Sequence, residues 1–295
     1  MINIKNSVYI ILAGILWGII SLFVTQLQKM GLNSMQVVSV RVFFSALVLV
    51  VFLLIKDKSK LKIKLKDIPL FFGTGVCSII FFNFCYFEAI EVIGGAAVPA
   101  LLLYTAPIFV MVISMILFKE KITKKKLLAL VLTFSGLIFV TGAFSGAEHL
   151  SLKAILLGLG AGLGYALYSI FGKYLVPKYD AVTITTYTFI VASVFAVPFS
   201  GVVSQITLIL SVKGIAFTLA LAVFSTVAPF LLYTKGLKGM DAGKASILAT
   251  VEPFVAAIVG VLFFHEKMTF VKIFGMLLIF TAIIILNISG KSKKS

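Results

Sequence analysis

The stretch that decides the fold occurs twice in the chain, as TAPIFVMVISMILFKEKIT at residues 105–123 and as VEPFVAAIVGVLFFHEKMT at residues 251–269. The two copies lie at a constant offset of 146 residues, so that Pro107 aligns with Pro253 and both copies end in E-K-x-T. A proline and a terminal charged motif that fall in register indicate an internal duplication. Both prolines are expected to interrupt their helices, because proline lacks the backbone N–H that a helix interior needs.

The two copies lie in a chain that has the composition of a membrane protein. Of its 295 residues, 61% are hydrophobic and 12% are charged, with a mean hydropathy of +1.18, whereas soluble domains are about 45–50% apolar and about 25% charged. The net charge of +16 would suggest nucleic acid in a soluble protein, but the lysines stand in short clusters between apolar runs. This pattern predicts a multi-pass protein of a bacterial cell membrane and excludes a nucleic-acid partner.

Apolar windows of about 20 residues predict an all-α integral membrane fold with ten transmembrane helices. The predicted spans, numbered 1 to 10, are 7–27, 35–55, 68–89, 95–118, 127–144, 152–172, 182–203, 214–234, 243–264 and 270–288. The first of them is expected to be retained rather than cleaved as a signal peptide, because it is too long and lacks a cleavage site.

The distribution of lysines between the loops predicts the orientation in the membrane. With the amino terminus in the cytoplasm, 20 lysines fall on the cytoplasmic side and five on the outer side. Positive residues concentrate in cytoplasmic loops, so both termini are expected to be cytoplasmic.

The duplication divides the chain into two halves of five spans each. The expected boundaries are 1–146 for the first repeat, 151–288 for the second and 289–295 for a cytoplasmic basic tail. Because five is an odd number, the second copy must cross the membrane in the opposite direction. Inverted repeats of this kind place a substrate site near the midplane between the halves and exchange access by rocking. The sequence therefore predicts a transporter.

Several short motifs occur in a characteristic order along the spans. Span 1 contains LWG at 16–18, span 2 contains VSVRVFF at 38–44, spans 4 and 9 contain AP and EP, and both repeats have the E-K-x-T ending. In this order and spacing the chain resembles the EamA family of the drug/metabolite transporter superfamily. The resemblance implies ten helices around a central cavity lined largely by spans 1, 3, 4, 6, 8 and 9. It also implies transport of small metabolites, often amino acids or their analogues and commonly outward.

Arg41 is the only arginine among 26 cationic residues, and it lies about six residues into span 2, roughly 9 Å from the outer end at ~1.5 Å per residue. A guanidinium is a planar, permanently charged fork that can hold a carboxylate bidentately. Two interpretations remain open. Arg41 binds a substrate carboxylate or controls a gate, or it forms a fixed ion pair or carbonyl clamp that locks span 2.

Glu252 lies about nine residues into span 9, roughly 14 Å from its cytoplasmic end and close to the midplane. A carboxylate there is costly unless it is paired, hydrated or protonated. Three roles remain open: binding of a substrate amine, uptake of a proton that couples transport to a gradient, or pairing with Arg41 or with backbone freed by Pro253. The equivalent residue of the first repeat is Ala106, which favours a role in the cavity. Glu88 is a rival partner for Arg41.

Aromatic residues with a polar tip are the best further candidates for the cavity wall, because they can enclose an apolar or cationic ligand. In the spans expected to line the cavity they are Trp17, Tyr86, Tyr104, Tyr165, Tyr168 and Tyr233. For each of them a place in an interfacial belt or a helix contact remains the alternative. With Arg41 and Glu252 they form the expected substrate-binding set.

Other residues are expected to be structural. Glu88, Glu91 and Lys173 lie at span ends, where long side chains reach the interface. The run GLGAGLG at 158–164 is typical of a close helix–helix contact.

An enzyme is not indicated. The only histidines, His149 and His265, fall in predicted outer loops, and the spans contain no HExxH motif, no paired aspartates and no serine with a plausible base. We therefore expect no catalytic residue, no metal ion and no cofactor.

The predicted function is that of a secondary transporter of small metabolites, such as amino acids, that exports by alternating access around a midplane cavity. The expected partners are a small-molecule substrate, the lipid bilayer and, as an open alternative, protons; the protein is a monomer or a homodimer. Alternative functions are a multidrug, nucleotide-sugar or other metabolite carrier of the same superfamily and a membrane scaffold that transports nothing.

Overall fold

The computed structural model describes residues 4–142 and 151–287. Ten long helices form the bundle and correspond in order to the ten predicted spans. We number them α1 Ile4–Lys29, α2 Ser34–Lys56, α3 Leu65–Ile93, α4 Ala97–Phe118, α5 Lys124–Thr141, α6 Leu152–Leu175, α7 Ala181–Phe199, α8 Val212–Lys238, α9 Ala242–Phe264 and α10 Phe270–Asn287. Every predicted span end lies within four residues of the observed one. The predicted tail, the end of the first predicted repeat at 143–146 and His149 lie outside the described residues.

Nine of these helices are long and apolar enough to cross a bilayer by themselves, counted over the described ranges. The tenth, α5, has 18 residues and begins with three lysines, Lys124 to Lys126. A lysine at a helix end can extend its ammonium group to the interface, so these charges are compatible with a membrane-spanning helix. The predicted all-α membrane fold is confirmed.

Packing between the helices follows a two-fold relation between the first five and the last five. Helix α1 packs on α8 and α9, and its equivalent α6 packs on α3 and α4. Three other helices each pack against their own equivalent in the second repeat: α2 against α7, α4 against α9 and α5 against α10. Helices α3 and α8 each contain a π-helical segment, at Gly73–Ile80 and Val223–Val227. The fold is therefore the predicted pair of inverted five-helix repeats.

Helices α4 and α9 are both interrupted near their middle. In α4 the break is at Tyr104 and Thr105, and in α9 it is at Thr250. The breaks come two residues before Pro107 and three before Pro253, where the missing proline N–H leaves a carbonyl of the preceding turn without its helical partner. The two halves of each helix therefore meet close to the centre of the bundle.

The E-K-x-T endings build the same connection twice. Lys119 and His265 are equivalent residues that end α4 and α9 in the left-handed conformation, with φ of 55° and 56°. The hydroxyl oxygen of Thr123 accepts a hydrogen bond from the backbone N–H at the start of α5, and that of Thr269 does the same for α10, both at 3.2 Å. The threonine thus caps the following helix.

We call the end of the bundle where α1 begins and α2 ends the lysine-rich end, and the opposite end the lysine-poor end.

Close packing between the repeats is made possible by glycines at positions that leave no room for a side chain. A Cβ atom at Gly18 of α1 would lie 2.5 Å from the Val255 side chain and 2.8 Å from the Glu252 carbonyl oxygen of α9. Gly158 and Gly162 of α6 meet α4 in the same way, as the predicted contact at 158–164 requires. These contacts fix the position of α9 relative to α1.

We expect Gly18→Ala to lower the free energy of unfolding by about 1–3 kcal/mol, because overpacking forces backbone shifts. Thermal denaturation of the purified protein in detergent measures the effect. Gly95→Ala is the matched control, since a Cβ atom there would meet nothing within 4 Å. Equal denaturation temperatures for the two variants would contradict the close contact between α1 and α9.

Candidate functional site

A cavity of about 270 Å³ lies between the two repeats. Helices α1 to α4 of the first repeat and α6, α8 and α9 of the second line it. The expected set of lining helices lacked α2, which contributes Val37, Val38 and Arg41. The lining of α1 continues from Trp17 to Val24, so the cavity extends from the middle of the bundle towards the lysine-poor end.

The eight side chains predicted to bind a substrate all line this cavity. They are Trp17, Arg41, Tyr86, Tyr104, Tyr165, Tyr168, Tyr233 and Glu252. They come from seven helices and lie up to 235 residues apart in sequence, so the fold gathers them into one place. Their role towards a ligand stays a prediction.

The sequence reasoning missed several polar and aromatic residues of the wall. Ser21, Ser78, Phe82, Asn83, Ser169 and Phe230 also line the cavity. The sequence spacing could have identified three of them as lining residues. Ser21, Ser169 and Phe82 stand four residues from Trp17, Tyr165 and Tyr86 respectively, a spacing that places two side chains on one helix face.

Trp17 is the centre of the aromatic wall. Its ring centroid lies 5.2 Å from that of Phe230, 5.4 Å from that of Tyr233 and 6.2 Å from that of Tyr165. Tyr168 packs edge-on against Phe230 at 4.9 Å. Tilted and edge-to-face contacts of this kind are favourable and hold the rings in defined orientations. One side of the cavity is therefore a rigid aromatic surface.

Hydrogen bonds between α6 and α8 lie on the side of the cavity towards the lysine-rich end. The hydroxyl groups of Tyr168 and Thr234 are 2.8 Å apart, and those of Ser169 and Tyr233 are 2.7 Å apart. All four side chains are buried. Each hydroxyl has a partner, which a buried polar group needs, so this layer joins the two helices beneath the cavity.

Glu252 lies in the first turn of the second half of α9, directly after the break at Thr250. Its Oε2 atom accepts a hydrogen bond of 3.0 Å from the Tyr165 hydroxyl. The free N–H groups at the start of a helix favour a negative charge. The break thus supplies an additional reason why the carboxylate is tolerated at this depth.

Arg41 is buried, with 8% of its surface exposed, and its guanidinium faces the cavity. Within residues 4–142 and 151–287, its side chain makes no ion pair and no hydrogen bond, and its Nε atom has no partner. Neither Glu252 nor Glu88, the two candidate partners, is within the 4.0 Å of an ion pair. Arg41 and Glu252 are therefore opposite charges that share one cavity without meeting.

The charged residues expected at span ends differ in whether their side chains reach the interface. Lys173 does not extend to the interface as expected: its Nζ atom donates to the Met240 carbonyl oxygen at 2.5 Å and to that of Leu237 at 3.3 Å. These carbonyls lie at the end of α8, where helical partners are missing. Glu91 is exposed and Glu88 is half-buried, as expected for residues near an interface.

The profile of the EamA-like transporter family matches residues 5–142 and 152–288. The chain belongs to this family. A relative from Archaeoglobus fulgidus, described as an uncharacterized transporter, is 29% identical over 276 residues, which is 94% of each chain. The uncharacterized transporter YetK of Bacillus subtilis is 26% identical over 85% of this chain and 77% of YetK.

A protein of known crystal structure is similar to this chain with a TM-score of 0.78 over 96% of each chain, at 14% identity. At that identity the likeness concerns the fold alone. The family and the relatives identify this EamA-like protein as a multi-pass membrane transporter, and the resemblance noted from the motifs is confirmed.

Trp17 is the only tryptophan of the chain, so its fluorescence reports on the cavity alone. We expect a solute that occupies the cavity to change the intensity or the wavelength of this emission in a saturable way, because the indole lies in the wall. Titration of purified protein with candidate solutes measures the change. A solute that is transported yet leaves Trp17 emission unchanged at saturation would contradict the assignment of the cavity as the binding site.

Proposed function

We propose that the protein is a secondary carrier for small zwitterionic solutes, of which amino acids are the simplest, and that it exports them by alternating access. The observation that carries the proposal is the presence of Arg41 and Glu252, unpaired with each other, in the wall of one cavity. A zwitterion offers each of these groups a partner of the opposite sign. The solute therefore supplies the contacts that the two side chains lack.

The chemistry of each group fits one end of such a solute. The guanidinium of Arg41 has several N–H donors in a planar fork that matches a carboxylate. Glu252 accepts a hydrogen bond from the Tyr165 hydroxyl and attracts an ammonium group. The aromatic wall around Trp17 provides an apolar surface for the side chain of the solute. A cavity of about 270 Å³ lies at the small end of ordinary ligand sites, roughly 300–1,000 Å³, which suits a solute of this size.

A fixed structural role explains Arg41 less well. An isolated charge in the interior of a membrane protein is costly and is normally paired. Arg41 has an unpartnered Nε atom although Glu252 belongs to the same cavity. A carrier needs unpaired polar groups in its binding site, because groups that are already paired with each other would gain no interaction by binding a solute.

The proposed orientation of the protein in the membrane rests on the charges outside the cavity. We place the lysine-rich end in the cytoplasm, with both termini, because 20 of 25 lysines belong to that side. The cavity then opens to the outside, and export requires a second conformation that opens to the cytoplasm. Since one chain forms the whole cavity, a monomer is sufficient for transport. A homodimer would then have two separate cavities.

Protons are a natural counter-substrate at Glu252. A proton and the ammonium group of a solute would compete for the same carboxylate, so that the protein returns from the outside either protonated or loaded. Exchange of this kind would drive export with the inward proton gradient.

The alternative functions fit the cavity less well. A carrier of lipophilic cations would use Glu252 and the aromatic wall, but Arg41 would repel its substrate. A nucleotide sugar carries a diphosphate, and Arg41 is the one cationic residue of this cavity wall. A scaffold would have no use for an unpaired charge in a cavity.

Replacing Glu252 with glutamine tests the proposal directly. We expect Glu252→Gln to reduce the exchange of a zwitterionic solute in proteoliposomes by about tenfold or more, because an amide does not offer the charge-assisted contact. Initial rates of uptake of labelled amino acids, with and without a pH gradient, measure the effect. Glu91→Gln is the matched control, since Glu91 is exposed and lies outside the cavity. Normal gradient-driven flux in Glu252→Gln would remove this carboxylate from the mechanism.

A further inference from the structure

Side chains from several other parts of the chain bind the connection between α8 and α9. We call residues 237–243 of this connection the inner turn; it lies at the lysine-rich end. Four side chains from outside the turn bind it, and they come from α1, the end of α4, α5 and α6. They are Asn6, Glu120, Lys126 and Lys173. The first three belong to the first repeat, so most of these bonds join one repeat to the other.

Glu120 makes two of these contacts. Its carboxylate oxygens accept hydrogen bonds from the backbone N–H groups of Ala242 at 2.7 Å and Gly243 at 3.2 Å. These are the first two residues of α9, whose N–H groups have no partner within the helix. Bonds to an ionised carboxylate are stronger than neutral ones. Glu120 therefore ties the end of α4 to the start of α9.

Lys126 and Asn6 complete the contact from the first repeat. The Nζ atom of Lys126, whose side chain is only 9% exposed, lies 2.7 Å from the Asp241 carboxylate. The side-chain amide of Asn6 donates to the Gly239 carbonyl oxygen at 3.1 Å. With Lys173 on Met240, consecutive residues of the inner turn are each bound. The lysine-rich end of the carrier is therefore closed.

The inverted repeat supplies a counterpart of this turn at the other end. An offset of 146 places it at residues 91–97, between α3 and α4, and we call it the outer turn. Most of its residues are exposed, and a Cβ atom at Gly94 or Gly95 would meet nothing within 4 Å. Among the described residues, no side chain from elsewhere donates to it or accepts from it. The outer turn therefore lacks the contacts that hold the inner turn.

The counterpart of Glu120 is present near the outer turn but is bound to a neighbouring lysine. Glu266 is the counterpart of Glu120, and Lys272 is the counterpart of Lys126. The Lys272 Nζ atom lies 2.8 Å from the Glu266 carboxylate, and the Glu266 side chain is 51% exposed. An exposed ion pair contributes little to stability, so Glu266 is available for another partner.

We propose that Glu120 and Glu266 form two latches that close alternately in the transport cycle. The inner latch consists of the bonds from the Ala242 and Gly243 N–H groups to Glu120. When it opens, Glu266 leaves Lys272 and forms the outer latch by accepting bonds from the N–H groups of the counterpart residues, Ala96 and Ala97. The outer turn then closes over the cavity. This inference rests on the proposed function as a carrier, because a protein with one resting conformation has no need of a second latch.

The exchange of the carboxylate–backbone hydrogen bonds reduces the difference in free energy between the two conformations. Opening the inner latch breaks two carboxylate–backbone hydrogen bonds, and closing the outer latch forms two of the same kind. A carrier requires such a balance, since a ligand can shift an equilibrium only by its differential affinity for the two states. One latch is not fully equivalent to the other, because Gly95 stands where the inner turn has Asp241. The outer latch lacks that ion pair and is expected to be the weaker one.

Distances between paired spin labels in proteoliposomes test the exchange without any substrate. One pair of cysteines, at Lys121 and Lys238, spans the inner latch, and the equivalent pair, at Lys267 and Val92, spans the outer latch; all four residues are exposed. The native thiols, Cys77 and Cys85, are replaced by alanine in both cases. We expect a short inner distance and a long outer distance in the parent protein.

Three variants then separate the two latches. We expect Glu120→Gln to lengthen the inner distance and to raise the short-distance population of the outer pair about tenfold, as loss of a charge-assisted bond implies. Glu266→Gln alone should leave both distances as in the parent. In the double variant the inner distance should be long while the short outer population is lost. Glu88→Gln is the matched control, because Glu88 lies at neither latch.

A double variant that keeps the short outer population of Glu120→Gln would overturn the role of Glu266. An unchanged inner distance in Glu120→Gln would overturn the inner latch itself. Glu120→Asp, which retains the carboxylate, should restore part of the inner contact, whereas a folding defect would not be relieved in this way. Because no solute is present, these outcomes do not depend on whether the substrate is a zwitterion, and a failure of one proposal leaves the other open to its own test.

Discussion

Two opposite charges that do not meet inside an apolar bundle are the constraint on which the rest of this structure depends. Arg41 enters the cavity from α2 and Glu252 from the break in α9, and among the described residues no ion pair joins them. The Tyr165 hydroxyl and the start of a helix stabilise the carboxylate. The guanidinium keeps free donors. Separated charges in a low-dielectric site interact strongly with a ligand that bridges them, and the fold keeps that separation.

The duplication accounts for most of the scaffold around these charges and for none of the charges themselves. Pro107 and Pro253, and the two E-K-x-T endings, have counterparts in the other repeat, and the structure uses them for the same backbone features. Glu252 is equivalent to Ala106. Symmetric parts therefore build the bundle, and the asymmetric carboxylate gives the cavity wall a charge that the duplication does not supply.

The sequence predicted the spans and the inverted repeat because both depend on position along the chain. It predicted the eight cavity residues from their chemistry, because charged groups within a span face the interior of a bundle and aromatic residues with a polar tip suit a cavity wall. It could not predict which way a side chain faces, since these helices are apolar on most sides and carry only a weak amphipathic signal. For that reason the contribution of α2 to the cavity, the bonds of Lys173 to carbonyl groups and the hydrogen bond of Tyr165 to Glu252 became visible only in three dimensions. Depth along an axis likewise could not distinguish Glu252 from Glu88 as the neighbour of Arg41.

Competition by a matched series of solutes against a transported amino acid is the most direct measurement of the central claim. The series comprises the zwitterion, its amide, which lacks the carboxylate, and the corresponding acid, which lacks the amine. The account predicts that only the zwitterion competes strongly with the parent protein, and that Arg41→Gln weakens competition by the zwitterion but not by the amide. Equal competition by the zwitterion and its amide in the parent protein would contradict a carboxylate contact with Arg41 and, with it, the proposed substrate class.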